Sequence, residues 1–445
     1  MLEKFFGFKE NGTDLKTEII AGLTTFVTMA YIIIVNPITL AGSDIPTGMD
    51  FGAVMMATCL SAAFTTLLMG LYANYPFALA PGMGLNAFFT YSLIGGMGVS
   101  WQVALGAVFI SGVVALIVAV SKIRETIIKA IPMQLKTAIG AGIGLFIAFI
   151  GLKNAGIVVA DPATYLALGK ITDPQVLVAI FGLILTGILL INKVTGGIII
   201  GILITTLVGL FVPAGDGTML TNFVPGDFLG IFSRPPALAP TFLKLDILGA
   251  LNISLFAAIF SLFFVDLFDT IGTFVGVASK TGMMDAEGNL KRGNRALFVD
   301  FVGTMFGALV GTSNVTTYVE SAAGVSAGGR TGMTSVVVGI LFLLSTFLSP
   351  VVLAVPSVAT APALVGVMMA SGLKDIDWDD IFIAIPAFLT VIMMPLTFSI
   401  ATGLAIGFVT YVLLALLSGR AKEVHWFMYI LSVLFIVYFI VQAGA

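Results

Sequence analysis

The sequence predicts an all-α polytopic membrane protein with fourteen transmembrane segments in a seven-plus-seven inverted repeat. Three observations predict it. The chain is 59% hydrophobic and only 10% charged, against roughly 25% charged in soluble domains. Apolar runs are close-set from residue 17 to residue 442. The second half of the chain also repeats the order of the first. The widest gap between runs, Pro213 to Leu245, is too short for an independent soluble domain, so one membrane domain is expected.

Taken in order, the N-terminus Met1-Leu2-Glu3-Lys4-Phe5, with Lys9 and Lys16 before the first span, does not fit a cleaved secretory signal. Spans of about 20 apolar residues place helices near 17–36, 51–73, 101–121, 134–152, 174–191 and 194–212, then 248–278, 294–311, 333–354, 379–398 and 401–418. Three further segments, 76–95, 314–328 and 359–372, are too short or too broken to be ordinary spans, and they complete the fourteen. Both ends then lie on one side. With the N-terminus cytoplasmic, only Lys153, Lys170, Arg234 and Lys244 of the twenty Lys and Arg fall outside, as the positive-inside rule requires. Residues 122–136 read as a short basic amphipathic helix on the cytoplasmic surface. After Arg420-Ala421-Lys422-Glu423 an apolar helix, 424–442, which includes His425-Trp426, has no partner in the first half. Sequence leaves open whether it lies along the membrane or crosses it.

The repeat is visible in residues. Asp173-Pro174 through Lys193-Val194-Thr195-Gly196 matches Asp380-Ile381 through Ile400-Ala401-Thr402-Gly403 at an offset of 207, and Asn74 through Gly84 aligns with Asn314 through Gly324 at an offset of 240. An odd number of crossings in each half inverts one half relative to the other. Inverted repeats with a paired interrupted segment point to a secondary transporter whose site lies between the repeats. Asn74 to Ala80 contains Pro76, and Thr312 to Val319 is rich in Thr, Val and Tyr, so both read as extended backbone. Each runs into a short helix, near Gly82 and near Ser321. Such backbone is tolerated at membrane depth only where it is buried or lines a cavity. The two half-helix N-termini are expected to converge there with free N–H groups and positive dipole ends.

Chemistry concentrates at Asp266-Leu267-Phe268-Asp269-Thr270. A carboxylate at bilayer depth is costly unless it faces a cavity or a partner. Positions three apart share a helix face, so Asp266 and Asp269 are expected to point the same way, with Thr270 beside them. Glu320 lies in a second stretch bracketed by apolar segments. Asp300, near Arg292 and Arg295, reads as structural, with a proton relay the lesser alternative. Asn86 alone reads as a helix-to-helix hydrogen bond. Phe77 and Tyr318 could stack on a flat ring, although packing is the ordinary role of such aromatics. The single cysteine, Cys59, and the single histidine, His425, exclude an internal disulfide, cysteine or histidine metal sites and histidine triads. Gly82 to Ala87 fits a dinucleotide fingerprint without its context, and Gly324 to Thr331 nearly fits a phosphate loop but has Arg330 for Lys. Asn11-Gly12-Thr13 is a glycosylation sequon on the cytoplasmic side. No cofactor is expected, and no basic cluster suggests nucleic acid.

Pro81-Gly82-Met83-Gly84-Leu85-Asn86-Ala87 in the third crossing, Asp266 to Thr270 in the eighth and Glu320 at the start of the tenth, set in an inverted repeat, resemble the nucleobase/ascorbate transporters, the nucleobase:cation symporter-2 family. Within it they resemble the AzgA-like hypoxanthine/guanine/adenine permeases, because the xanthine and uracil branches usually carry Glu where this chain has Asp266. The resemblance implies short antiparallel strands in segments 3 and 10 and a core moving against a gate. That places core at 1–121 and 246–355, and gate at 122–245 and 356–445. It implies a substrate set of Asp266, Glu320, Asn86, Gly84, Phe77 and Thr270, with proton coupling at Asp269 and a share for Asp266 and Glu320. The expected activity is import of purine nucleobases by proton symport, with sodium the lesser candidate, in a homodimer. The expected location is a cell membrane, as in a bacterial inner membrane. An anion transporter resembling the sulfate permeases is the alternative on the same architecture; three carboxylates where an anion needs positive potential argue against it. A carboxylate-based intramembrane hydrolase gives the inverted repeat no purpose.

Overall fold

The computed structural model describes residues 2–42, 45–121, 130–214, 218–227, 230–278, 283, 290–359 and 370–443. Its helices are α1 (Leu2–Phe6), α2 (Leu15–Met29), α3 (Ile32–Ala41), α4 (Phe51–Leu68), α5 (Met83–Ala87), α6 (Trp101–Val120), α7 (Met133–Asn154), α8 (Pro174–Ile191), α9 (Gly197–Gly209), α10 (Ile247–Ala250), α11 (Phe256–Ala278), α12 (Gly293–Val310), α13 (Ser321–Ser326), α14 (Gly332–Ser345), α15 (Ser349–Ala354), α16 (Ile381–Leu396), α17 (Ile400–Leu417) and α18 (Trp426–Ala443). Its strands are β1 (Leu79–Pro81), β2 (Val158–Asp161), β3 (Tyr165–Leu168) and β4 (Val315–Thr317). Among the described residues, eight helical stretches are long and apolar enough to cross a membrane. Residues 122–129 of the expected basic surface helix and 360–369 of the expected broken segment lie outside the described residues.

Helices begin where a short polar side chain meets an apolar run. Asp14, Asp50, Asp173, Asp246 and Asp380 each accept a backbone N–H from the first turn of α2, α4, α8, α10 and α16, satisfying one donor that the helix itself cannot pair. The N-terminus of α14 is capped from a distance. Fully buried Glu18 of α2 accepts from the Arg330, Thr331 and Thr334 backbone N–H groups at 2.8, 3.1 and 3.0 Å, and Asn74 Oδ1 accepts from Gly332 N–H at 2.7 Å.

Two strands from distant parts of the chain meet. β1 pairs antiparallel with β4 in the register Leu79 with Thr317, Ala80 with Thr316 and Pro81 with Val315. Hydroxyls satisfy the outer edges of this ribbon. Thr66 Oγ1 lies 2.9 Å from both the N–H and the carbonyl of Leu79, Ser321 Oγ accepts from Ala78 N–H, and Ser335 Oγ donates to the Tyr75 and Phe77 carbonyls. A buried ribbon with its backbone paired in this way is compatible with a bilayer. β1 leads into α5 and β4 into α13. On the chain's path, β1 and α5 are bracketed by π-helical turns at Met69–Ala73 and Phe88–Gly96.

Three features differ from the sequence reading. The first span breaks at Ala30 and Tyr31 and continues as α3 to Ala41, beyond the expected end at 36; Pro37 inside α3 cannot donate to the Ile33 carbonyl. The stretch after α7 holds an unanticipated hairpin, β2 with β3, closed by Asp161 Oδ1 accepting from Ala163 and Thr164 N–H at 2.8 Å. At α13 the N–H groups of Ser321, Ala322 and Ala323 are already bonded to the Tyr318, Val319 and Glu320 carbonyls. The expected free donors at that half-helix are therefore spent in a tight turn.

Packing brings α12 against α4 and α6, α14 against α2 and α4, and α16 against α7 and α17. The C-terminal α18 lies on α11 and α17. There Phe435 meets the edges of Phe260 and Phe408, and Ser432 Oγ donates to the Phe408 carbonyl.

Candidate functional site

The β1–β4 ribbon sets four acids around it. Asp266 of α11 is fully buried. Its Oδ2 accepts from Thr304 Oγ1 at 2.9 Å and Asn314 Nδ2 at 3.0 Å, while Oδ1 has no partner among the described residues. Asp269, one turn on, is partly exposed and has Thr316 Oγ1 at 3.5 Å. Glu320 is partly exposed as well, and Oε1 accepts from the Tyr31 hydroxyl at 2.6 Å. Asp300 of α12 is fully buried between the hydroxyls of Thr270 and Thr317, at 2.8 and 2.9 Å. The acids feel one another: Asp266 and Asp269 interact, as do Asp269 and Glu320, and Asp300 interacts with both aspartates of α11. Among the described residues no ion pair reaches any of the four.

A three-residue hub organises this centre. α12 stops at Gly311, whose φ of 106° belongs to the left-handed region that a glycine enters without a Cβ clash. Thr312, Ser313 and Asn314 then fan out. Thr312 Oγ1 accepts from Asn36 Nδ2 of α3 at 2.8 Å. Ser313 Oγ donates to Asn86 Oδ1 of α5. Asn314 Nδ2 donates to Asp266 and to Ser111 of α6. Asn86 Nδ2, Asn314 Oδ1 and Asn36 Oδ1 are buried without partners among the described residues. Buried polar groups are rarely left unmade, so an unpaired acceptor on Asp266 and an unpaired donor on Asn86, both tied to the one Ser313-Asn314 hub, are the pattern of a site that takes a polar molecule.

The residues expected at the site are not all placed alike. Asp266, Asp269, Glu320 and Asn86 come together around the ribbon. Thr270 turns away from Asp266, donating to Asp300 Oδ2 and lying 2.9 Å from Thr316 Oγ1. Gly84 is a close-approach position: a Cβ there would collide with Ile143 of α7. Phe77 is fully buried and stacks on Tyr75 and Phe274, with ring centroids at 5.0 and 5.3 Å, so it packs in this conformation. Tyr318 donates its hydroxyl to the Pro81 carbonyl. The pairing of Asp300 with Arg292 and Arg295 is not formed. Arg292 donates to the Asn74 carbonyl and lies over the Tyr75 ring, and Arg295 lies over Tyr72. Five residues of helix put Arg295 about 140° around the axis from Asp300.

Sequence reasoning missed Tyr31, Thr304, Asn314 and Ser313. The signal available for the last two was a run of three polar residues directly after a helix-ending glycine inside an apolar stretch. Tyr31 carried none beyond its nearness to Pro37.

The Permease family model matches residues 16–406. The Guanine/hypoxanthine permease PbuG of Bacillus subtilis is 49% identical over 99% of this chain and 99% of its own length. The Adenine permease AdeP of Escherichia coli is 43% identical, over 98% and 95%. A protein of Methanocaldococcus jannaschii that carries only a permease name is 54% identical, over 100% and 99%. Among solved structures, the transmembrane domain of the cyanobacterial bicarbonate transporter BicA superposes with a TM-score of 0.62 at 15% identity, covering 88% of this chain and 97% of that one. The murine Solute Carrier 26 family member A9 anion transporter gives 0.62 at 12%, covering 90% and 68%. At such identities these two share the fold alone. By the extent and depth of the sequence matches, the chain is a transporter rather than an enzyme and belongs to the Permease family, in its nucleobase:cation symporter-2 group.

Proposed function

We propose that this protein imports purine nucleobases (hypoxanthine, guanine and adenine) by proton symport. The observation that carries the reading is a cluster of carboxyls that no ion pair reaches among the described residues, set on a chain about half identical to a guanine/hypoxanthine permease along its whole length. A neutral purine offers ring N–H donors and ring nitrogen acceptors. Asp266 Oδ1 and the carboxylate of Glu320 accept from the donors, and Asn86 Nδ2 donates to an acceptor. Gly84 lets α5 approach α7 closely beside this pocket, and Asp269 carries the coupled proton. Phe77 and Thr270 support the pocket from behind rather than touching the base.

In this reading the chain crosses a cell membrane fourteen times as two inverted halves, with its N-terminus cytoplasmic, and works as a homodimer. Residues 1–121 and 246–355 form a core that moves like an elevator against a gate of 122–245 and 356–445. Anion transport has only the shared fold behind it, and uncompensated carboxyls oppose an anion at this place. Uptake of labelled hypoxanthine and of sulfate into proteoliposomes, with and without an inward proton gradient, tests the reading. Gradient-driven hypoxanthine accumulation supports it, whereas sulfate accumulation without hypoxanthine uptake overturns it.

A further inference from the structure

Asp300 is fully buried while Asp269 is partly exposed, and a chain of hydroxyls joins the two. Thr270 Oγ1 is 2.8 Å from Asp300 Oδ2 and 2.9 Å from Thr316 Oγ1, and Thr316 Oγ1 is 3.5 Å from Asp269 Oδ2. The order Asp269, Thr316, Thr270, Asp300 therefore contains three oxygen-to-oxygen links. A hydrogen bond places one hydrogen between its two oxygens, and each threonine owns a single hydroxyl hydrogen. Two hydrogens cannot fill three links. With both aspartates ionised, one link sets lone pair against lone pair in a chain whose Thr316, Thr270 and Asp300 members are buried, where unmade hydrogen bonds are costly. One added proton completes the chain.

We propose that Asp269 and Asp300 share this one proton and that Thr316 and Thr270 relay it between the partly exposed and the fully buried end of the chain. The inference rests on the proton-symport reading above. With the proton on Asp269, Asp269 donates to Thr316, Thr316 to Thr270 and Thr270 to Asp300. With it on Asp300, every donation reverses. Passing from one arrangement to the other moves three hydrogens by one oxygen each. Three O–H bonds break and three form, the negative charge passes from Asp300 to Asp269, and no other reactant is needed. The longest link is the one at Asp269, beyond the usual hydroxyl range, so a small shift of β4 makes or breaks the relay at its Asp269 end.

The surroundings leave the chain isolated. Elements packed on α12 include α4, α6, β1 and β4, none of which contains a charged residue; α11 contributes Asp266 and Asp269, and the turn Met69–Ala73 contributes Tyr72. Arg292 and Arg295 of the Asp300 segment are engaged with Tyr75 and Tyr72. Around Asp269 stand Asp266, Glu320 and Tyr318, with Tyr31 behind Glu320 and Lys136 of α7 over the neighbouring Phe268 ring at 5.3 Å. Thr317 closes the far side of Asp300 with its own hydroxyl.

Thr316→Val keeps the shape of the side chain and removes the relaying hydroxyl, Thr316→Ser restores it, and Asp300→Asn supplies a permanent donor that fills the third link without a proton. Each full-length variant is reconstituted into proteoliposomes and assayed twice, for exchange of labelled against unlabelled hypoxanthine and for accumulation driven by an imposed pH difference. One coupled proton and one pH unit drive accumulation of up to about tenfold. Wild type and Thr316→Ser should accumulate; Thr316→Val and Asp300→Asn should exchange hypoxanthine yet only equilibrate it. Accumulation by Thr316→Val equal to that of wild type overturns the relay while leaving symport standing, and the same result for Asp300→Asn removes its inner terminus. A wild type that exchanges but never responds to the gradient overturns symport and the relay together.

Discussion

Replacing Glu320 by Gln tests the site through one atom. In the structure Glu320 Oε1 accepts from the Tyr31 hydroxyl at 2.6 Å, which leaves the other oxygen for a purine N–H. A glutamine that keeps its carbonyl on Tyr31 turns Nε2 toward the base, donor against donor, and buried mismatches of that kind cost about 1 to 3 kcal/mol. A glutamine that flips offers its carbonyl to the base and lets Tyr31 rotate to accept, so the loss is that of exchanging a charge-assisted bond for a neutral one, about 1 kcal/mol. The expected rise in Kd for hypoxanthine is therefore about five- to two-hundredfold. Equilibrium binding to purified protein in detergent, with a melting curve to confirm folding, measures it. Tyr31→Phe in the same background separates the two cases: if Tyr31 holds the amide with Nε2 against the base, removing Tyr31 frees it to turn, and the double variant loses less than the sum of the singles. A Kd within twofold of wild type in the folded Glu320→Gln protein would refute the placement of Glu320 against the substrate.

Asp266→Asn should weaken purine binding by a similar factor, because Oδ1 is the unpaired acceptor; wild-type binding by the same assay would count against it. Uracil should fail to compete with hypoxanthine in exchange, since a pocket filled by a bicyclic base leaves voids around a pyrimidine, and equal competition would place the chain in the other branch of its family. Asp269→Asn should abolish gradient-driven accumulation and leave exchange, and persistence of accumulation would move the coupling acid elsewhere. Thr66→Val should lower stability by about 2 to 6 kcal/mol, because it strips partners from both the N–H and the carbonyl of Leu79 at about 1 to 3 kcal/mol each, and Thr66→Ser should be close to neutral; thermal unfolding of the two variants side by side reads the difference.

What could be read from the sequence was what a bilayer makes expensive. Asp266, Asp269 and Glu320 stand out because a charge in an apolar run is costly wherever the rest of the chain goes, and the paired broken segments stand out because Pro76 and the Thr-rich stretch before Glu320 oppose helix. The structure pairs those segments as β1 and β4. The partners of the acids were not readable. Tyr31 meets Glu320 from 289 positions away, and Asn314 meets Asp266 from 48 away; no periodicity links such pairs. The hairpin of β2 and β3 was hidden because its apolar residues are exposed without a regular alternation, and period two is the signal by which a strand is recognised.

Threonine and serine were the residues whose information was undervalued. In a helix they read as mild and neutral, with the hydroxyl returned to the carbonyl one turn back, and Thr186, Thr205 and Thr390 do this at 2.7 to 2.8 Å. Thr66, Ser321 and Ser335 bond the ribbon's backbone instead, Thr304 holds both Asp266 and the Val315 carbonyl, and Thr270 and Thr316 link two acids. The difference follows from the ribbon. Two short strands within a membrane expose backbone groups that neither helix nor water can pair, so every neighbouring element must bring a small donor to that place. A buried carboxyl needs the same donors. Around a break in helical backbone, clustered hydroxyls therefore mark where the acids are held.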